Sequence, residues 1–116
     1  MTGTKPEVDP NGIDQHAAGA KLDAGKQRPS LIMDSMSRAI AGVVAVGTFG
    51  ANKYSDGGWL EVTNGIGRYR DAQLRHETKR AQGEIVDPDS GLPHDFHIAW
   101  NVLAQVELKA RRGDYN

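Results

Sequence analysis

Apolar positions recur at intervals of three and four along three stretches of the chain, and each stretch predicts a helix. The first runs from Ser30 to about Asn52. Ile32, Met36, Ile40 and Val43 form one stripe, with Ala39, Val46 and Gly47 beside it. Pro29 and Ser30 are start signals. Gly42, Gly47 and Gly50 each weaken this helix by roughly 1 kcal/mol relative to alanine. Close approach of a second helix would offset that cost. Gly57-Gly58 breaks the pattern, and Asn64-Gly65 breaks it again. A polar helix is predicted from about Gly67 to Gln82. Arg68, Ala72, Arg75, His76 and Lys79 share one broad face of it, while Tyr69, Leu74 and Ala81 give a thin apolar stripe. A helix this polar is solvated or lines a polar cleft. Gly83 caps it.

Pro93 suits the first position of a last helix, which runs to about Arg112. Phe96, Trp100, Leu103 and Val106 mark its apolar side, and Ile98, Val102 and Leu108 widen it. A helix apolar over more than half its girth is central, or shared with another subunit. Lys109, Arg111 and Arg112 near its end suit the macrodipole. The expected fold is therefore all-α, a small bundle of about three main helices completed by oligomerisation.

Composition sharpens this picture. A length of 116 residues suits one domain. Only 38% of residues are hydrophobic, so the core is small, and a dimer or tetramer of identical chains is expected to complete it. Residues 1–18 are polar and without period, and read as a flexible tail; residues 19–116 read as a single helical domain. His16, in the tail, is given no role. The net charge of −1 argues against general binding to a nucleic-acid polymer or a membrane surface. The absence of cysteine excludes disulfides and thiolate metal sites, and fits the cytoplasm. No secretory or transit segment opens the chain, and the longest apolar run, Ala39 to Val46, is too short to span a bilayer.

Candidate chemistry concentrates between Arg75 and Asn101. His94, His97 and Asn101 are three and four residues apart and share one helix face. Glu84 and Asp87, in the turn before them, are hard oxygen donors that suit Mg²⁺ or Mn²⁺. Lys21, Lys26 and Arg28 lie in a glycine-containing loop that is either a solvated turn or an anion-binding loop. It is not a P-loop, because no Lys-Ser/Thr follows. Tyr54 and Trp59 either plug the end of the bundle or stack on a base, with Lys53 beside them facing phosphate. No HExxH motif, serine elbow or thiol nucleophile is present. Metal-assisted attack by water on a phosphate remains, or simple nucleotide binding.

Four blocks carry a family resemblance. They are Gly19-Ala20-Lys21-x-Asp23-x-Gly25-Lys26-x-Arg28, Gly50-Ala51-x-Lys53-Tyr54 with Trp59, and Arg68-Tyr69-x-Asp71-Ala72-x-x-Arg75-His76. The fourth is Gly83-Glu84-x-x-Asp87-Pro88-Asp89-Ser90-Gly91-Leu92-Pro93-His94-x-x-His97-x-x-x-Asn101. Together they resemble the dATP/dGTP diphosphohydrolases, small proteins common in bacteriophages and related to the MazG-like all-α pyrophosphohydrolases. The resemblance implies a MazG-like, nucleotide-binding helical domain that forms homo-oligomers. It implies cleavage of a purine deoxynucleoside triphosphate to monophosphate and pyrophosphate with Mg²⁺ or Mn²⁺. For a phage-encoded protein it implies the bacterial host cytoplasm. Glu84, Asp87, His94 and His97 would be catalytic. Glu77, Glu84 and Asp87 would hold metal. Lys21, Lys26, Arg28, Lys53, Tyr54, Trp59, Arg75, His76 and Asn101 would contact substrate. MazG-type enzymes use a helical Glu-Glu-x-x-Glu motif with Glu-x-x-Asp; here only Glu77 stands on the preceding helix after Asp71. The alternative is a non-catalytic protein that sequesters a signalling nucleotide of host defence.

Overall fold

The computed structural model describes residues 6–116. Residues 1–5 of the expected tail lie outside the described residues. The described chain divides after Ser35 into two compact units.

The first unit is held by local polar contacts. Asp9 is buried, and its carboxylate accepts the N–H groups of Asn11, Ile13 and Lys21. Ala24 N–H donates to Val8 O, and Lys26 pairs with Glu7 at 2.9 Å. The unit ends in one helical turn, α1 (Ser30–Met33).

The second unit contains α2 (Ser37–Lys53), a 3₁₀ turn (Gly58–Glu61), α3 (Gly65–Ala81) and α4 (His94–Arg112). No strand forms among the described residues, only an isolated bridge between Val86 and Pro93. The all-α expectation therefore holds. The continuous first helix does not: α1 ends at Met33, Met36 stands outside helical geometry at φ −118° and ψ 28°, and a new helix starts at Ser37. Ser35 Oγ bonds back to Leu31 O, and short polar side chains of this kind compete with the helix for backbone groups. α3 begins two residues before the expected Gly67, directly after Asn64 turns through a positive φ of 52°. Pro93 stands just outside α4 and not at its first position.

α4 packs against both α3 and α2. The glycines of α2 explain how. A Cβ on Gly42 would lie 2.8 Å from the Phe96 ring, and one on Gly47 would lie 3.5 Å from Trp100 Nε1. Bare backbone thus admits two large rings of α4. Gly42→Val is expected to destabilise the fold by roughly 2 kcal/mol, because overpacking against the Phe96 ring outweighs the small gain in helix propensity. Urea denaturation checks this.

The core that results is polar. Among the described residues only Val46 and Ala104 are buried hydrophobics, beside buried His94, His97, Asn101 and Gln105. The expected stripe on the first helix is only partly covered, since Ile32 and Met36 stay exposed. On α4, Val102, Leu103 and Val106 are also exposed in the single chain. No helix among the described residues is long and apolar enough to cross a membrane.

Candidate active site

The site is built where the turn after α3 delivers two carboxylates to the start of α4. Gly83, at φ 95°, ends α3, and Glu84 N–H donates back to Lys79 O. The chain then folds on itself: Asp87 N–H donates to Leu92 O and His94 N–H to Ile85 O, both at 2.8 Å. Asp87 Oδ2 accepts Ser90 N–H at 3.1 Å, which fixes the carboxylate inside the turn. Burial disfavours the Asp87 anion, yet the hydrogen bonds from Ser90 and the nearby His97 hold its pKa below the usual range. Ser90 Oγ lies 2.6 Å from His97 Nε2, and Asp87 Oδ2 lies 3.6 Å from the same nitrogen.

His94 is the largest fully buried side chain among the described residues. Its Nε2 meets Glu84 Oε1 at 2.9 Å and its Nδ1 meets His76 Nδ1 at 2.8 Å. A carboxylate only accepts, so in a neutral pair His94 donates from Nε2 and accepts at Nδ1. His76 then donates from Nδ1 and keeps Nε2 as a free acceptor. The His76 ring stacks on His97 at 4.3 Å between centroids. Burial, with His97 close by, pushes the His76 pKa down to about 4, and burial lowers that of His97 as well. Donor atoms of Glu84, Asp87 and His94 lie within 4.8 Å of one another.

Beside this cluster opens a cleft of about 900 Å³. His76, Asp87 and His97 line it at the acidic end. Trp59, Tyr69 and Trp100 line it too, and pack edge to face with centroids 5.5–6.1 Å apart. Tyr69 Oη donates to Trp59 O at 2.7 Å, locking the 3₁₀ turn onto α3. Lys53, Arg68 and Arg75 supply positive charge around the cleft. Lys53 is tied to Asp89 at 2.7 Å, whereas Arg75 makes no ion pair among the described residues.

Most of the expected site residues therefore meet. Lys53, Tyr54, Trp59, Arg75, His76, Asp87, His97 and Asn101 line the cleft. Glu84 and His94 stand behind Asp87 in the donor cluster. Glu77 is not in that cluster; its Oε1 accepts from Gln73 Nε2 on its own helix. Lys21, Lys26 and Arg28 belong to the first unit.

A family model described as dATP/dGTP diphosphohydrolase, N-terminal, matches residues 16–116. The chain belongs to this family. No curated protein and no solved structure matches it.

Seen as a member of the diphosphohydrolase family, the chain has a donor set that fits a divalent cation. Two carboxylate oxygens and one imidazole nitrogen suit Mn²⁺, and Mg²⁺ through the oxygens. His94 is braced as metal-bound histidines are, its second ring nitrogen being hydrogen-bonded. Sequence reasoning missed Ser90, Tyr69 and Trp100 as site residues. Tyr69 and Trp100 read as ordinary stripe members. For Trp100 the available signal was the glycine of α2 that faces it, Gly47; Tyr69 meets Trp59 and Trp100, contacts that carry no local signal. Ser90 stood three residues after Asp87, the spacing of an aspartate that caps its own turn.

Proposed function

We propose that the chain binds a purine deoxynucleoside triphosphate in this cleft and hydrolyses it to monophosphate and pyrophosphate. The observation that carries the reading is the convergence of Glu84, Asp87 and His94 at the edge of an aromatic and cationic cleft. The volume of about 900 Å³ is within the range of small-molecule sites. Trp59, Tyr69 and Trp100 offer ring faces and edges to a purine. Arg75 and Arg68 face phosphate oxygens, and Lys53 joins them by exchanging Asp89 for phosphate. Tyr54 is proposed as a second aromatic contact.

Glu84, Asp87 and His94 would hold Mg²⁺ or Mn²⁺, which neutralises polyphosphate charge and acidifies water when bound. With a cation on His94 Nε2, His94 would donate from Nδ1 to His76 Nδ1, and His76 Nε2–H would donate a hydrogen bond to a phosphate oxygen in the cleft. His97, gripped by Ser90 and Asp87, holds the acidic end of the cleft in place. Water oxygen bonds to the α-phosphorus while its bond to the bridging oxygen breaks; pyrophosphate leaves with that electron pair, and the water's proton passes to solvent. A second copy of the chain covers the exposed Val102, Leu103 and Val106 of α4, giving a dimer or tetramer in the cytoplasm.

Incubation of a nucleotide panel with the protein and Mn²⁺, followed by mass spectrometry, tests this. Monophosphate and pyrophosphate are expected from dATP or dGTP. No cleavage of any purine nucleotide would sink the enzyme reading. One observation favours a second reading: with Glu77 turned to Gln73, only two carboxylates join the donor cluster. A protein that sequesters a signalling nucleotide intact would then release it unchanged on denaturation.

A further inference from the structure

Asn101 is 3% exposed and lines the cleft. Its Nδ2 donates to His97 O, one turn back on α4, at 2.8 Å. That bond fixes the amide, because a flipped amide would set Oδ1 against a carbonyl oxygen with no proton between them. Gln105 supports the same turn, with Nε2 donating to Asn101 O at 3.0 Å and to Gln73 Oε1 at 2.9 Å. Oδ1 is left as the one buried side-chain N or O atom without a hydrogen-bond partner among the described residues. An unmet buried acceptor is destabilising. One held at a cleft wall calls for a donor from the ligand.

Few donors qualify. Polyphosphate oxygens accept and do not donate at neutral pH, so the phosphates do not pair with Oδ1. A purine deoxynucleotide offers its 3′-hydroxyl and the N–H groups of its base. At the six position adenine carries an amino donor and guanine a carbonyl acceptor, so an acceptor reading that edge would separate the two bases. Both nucleotides carry the 3′-hydroxyl. Oδ1 is also withdrawn from solvent. A single hydroxyl can reach such an atom more readily than a fused ring held by stacking. Along α4, Asn101 follows Trp100 of the aromatic cluster and lies one turn after His97 at the acidic end. A sugar occupies the corresponding place between base and phosphates.

We infer that Asn101 Oδ1 accepts a hydrogen bond from the 3′-hydroxyl of the bound deoxynucleotide, so that the site rejects nucleotides lacking it. The inference rests on the proposed nucleotide reading. Both tryptophans of the chain are in the aromatic cluster, so their fluorescence reports binding. The ligands are the uncleavable α,β-methylene analogue of dATP and its 3′-deoxy counterpart, titrated with Mn²⁺ present. The 3′-deoxy ligand is expected to bind about tenfold more weakly. In Asn101→Ala the two ligands bind within about twofold of each other, because the discriminating contact is gone. Asn101→Ser, whose hydroxyl can accept, regains part of the preference. Equal binding of the two ligands by the unaltered protein overturns the inference and leaves the nucleotide reading standing. No binding of either overturns both. The comparison on unaltered protein decides the matter even where the variants fail to fold.

Discussion

Asp87→Asn is expected to lower pyrophosphate release from the preferred purine nucleotide by about 100-fold or more, with helical content unchanged. The substitution is nearly isosteric. The amide oxygen can still accept Ser90 N–H, so the turn that carries residue 87 persists. What disappears is the negative charge. Asp87 is the only member of the Glu84–Asp87–His94 donor cluster that also lines the cleft. Its loss therefore weakens cation binding and removes the charge that faces His97. Glu77→Gln is the control, since Glu77 bonds to Gln73 and stands outside the cluster. Its activity should stay within about threefold of the unaltered protein, because the amide oxygen can still accept from Gln73 and no ligand atom of the cluster is lost. Pyrophosphate release and Mn²⁺ titration calorimetry on both variants decide the point. Equal losses in the two would mean that the cation is held elsewhere.

The contrast between Asp87 and Glu77 shows how far the sequence could be read. Helical period placed α3 and α4 within two residues, because both are long and end on glycine. The spacing of His94, His97 and Asn101 put all three on one face, and all three are buried there. Period alone could not place Glu77. It sits beside His76 in sequence, but a step of one residue turns its side chain about 100° around the helix. The break at Asp34–Met36 was hidden for a different reason. An apolar stripe runs through it in sequence, while the hydrogen bond of Ser35 that accompanies the break is local and carries no period. The cleft was the least legible part. It forms where α2 presents Gly47 to Trp100 and where Tyr69 is tied to the 3₁₀ turn. Those are contacts between residues distant in the chain.

A core made of imidazoles has a consequence for acid stability. Half-buried His76 has its pKa pushed down to about 4 from 6.5, first by desolvation and then by His97. As pH falls below 6.5, the unfolded chain takes up a proton that the folded chain refuses until about pH 4. Folding is therefore penalised progressively across that window, and no penalty from this group remains above it. The shift corresponds to at most roughly 3 kcal/mol at the acid end, and to less once solvent screening of this half-buried ring is counted. The lowered pKa of His97 acts in the same direction. Asp87, also lowered, adds its loss only below the ordinary carboxylate range. Domain stabilities are about 5–15 kcal/mol, so the metal-free protein should lose a large part of its stability between pH 6.5 and 4. Urea midpoints measured in chelator at half-unit steps of pH check this. His76→Gln removes the titrating ring while keeping a donor toward His94, and its stability should fall less steeply over the same interval. An identical slope in that variant would place the acid sensitivity outside the stacked imidazoles, and the polar core would then be an inert packing solution and not a pH-sensitive one.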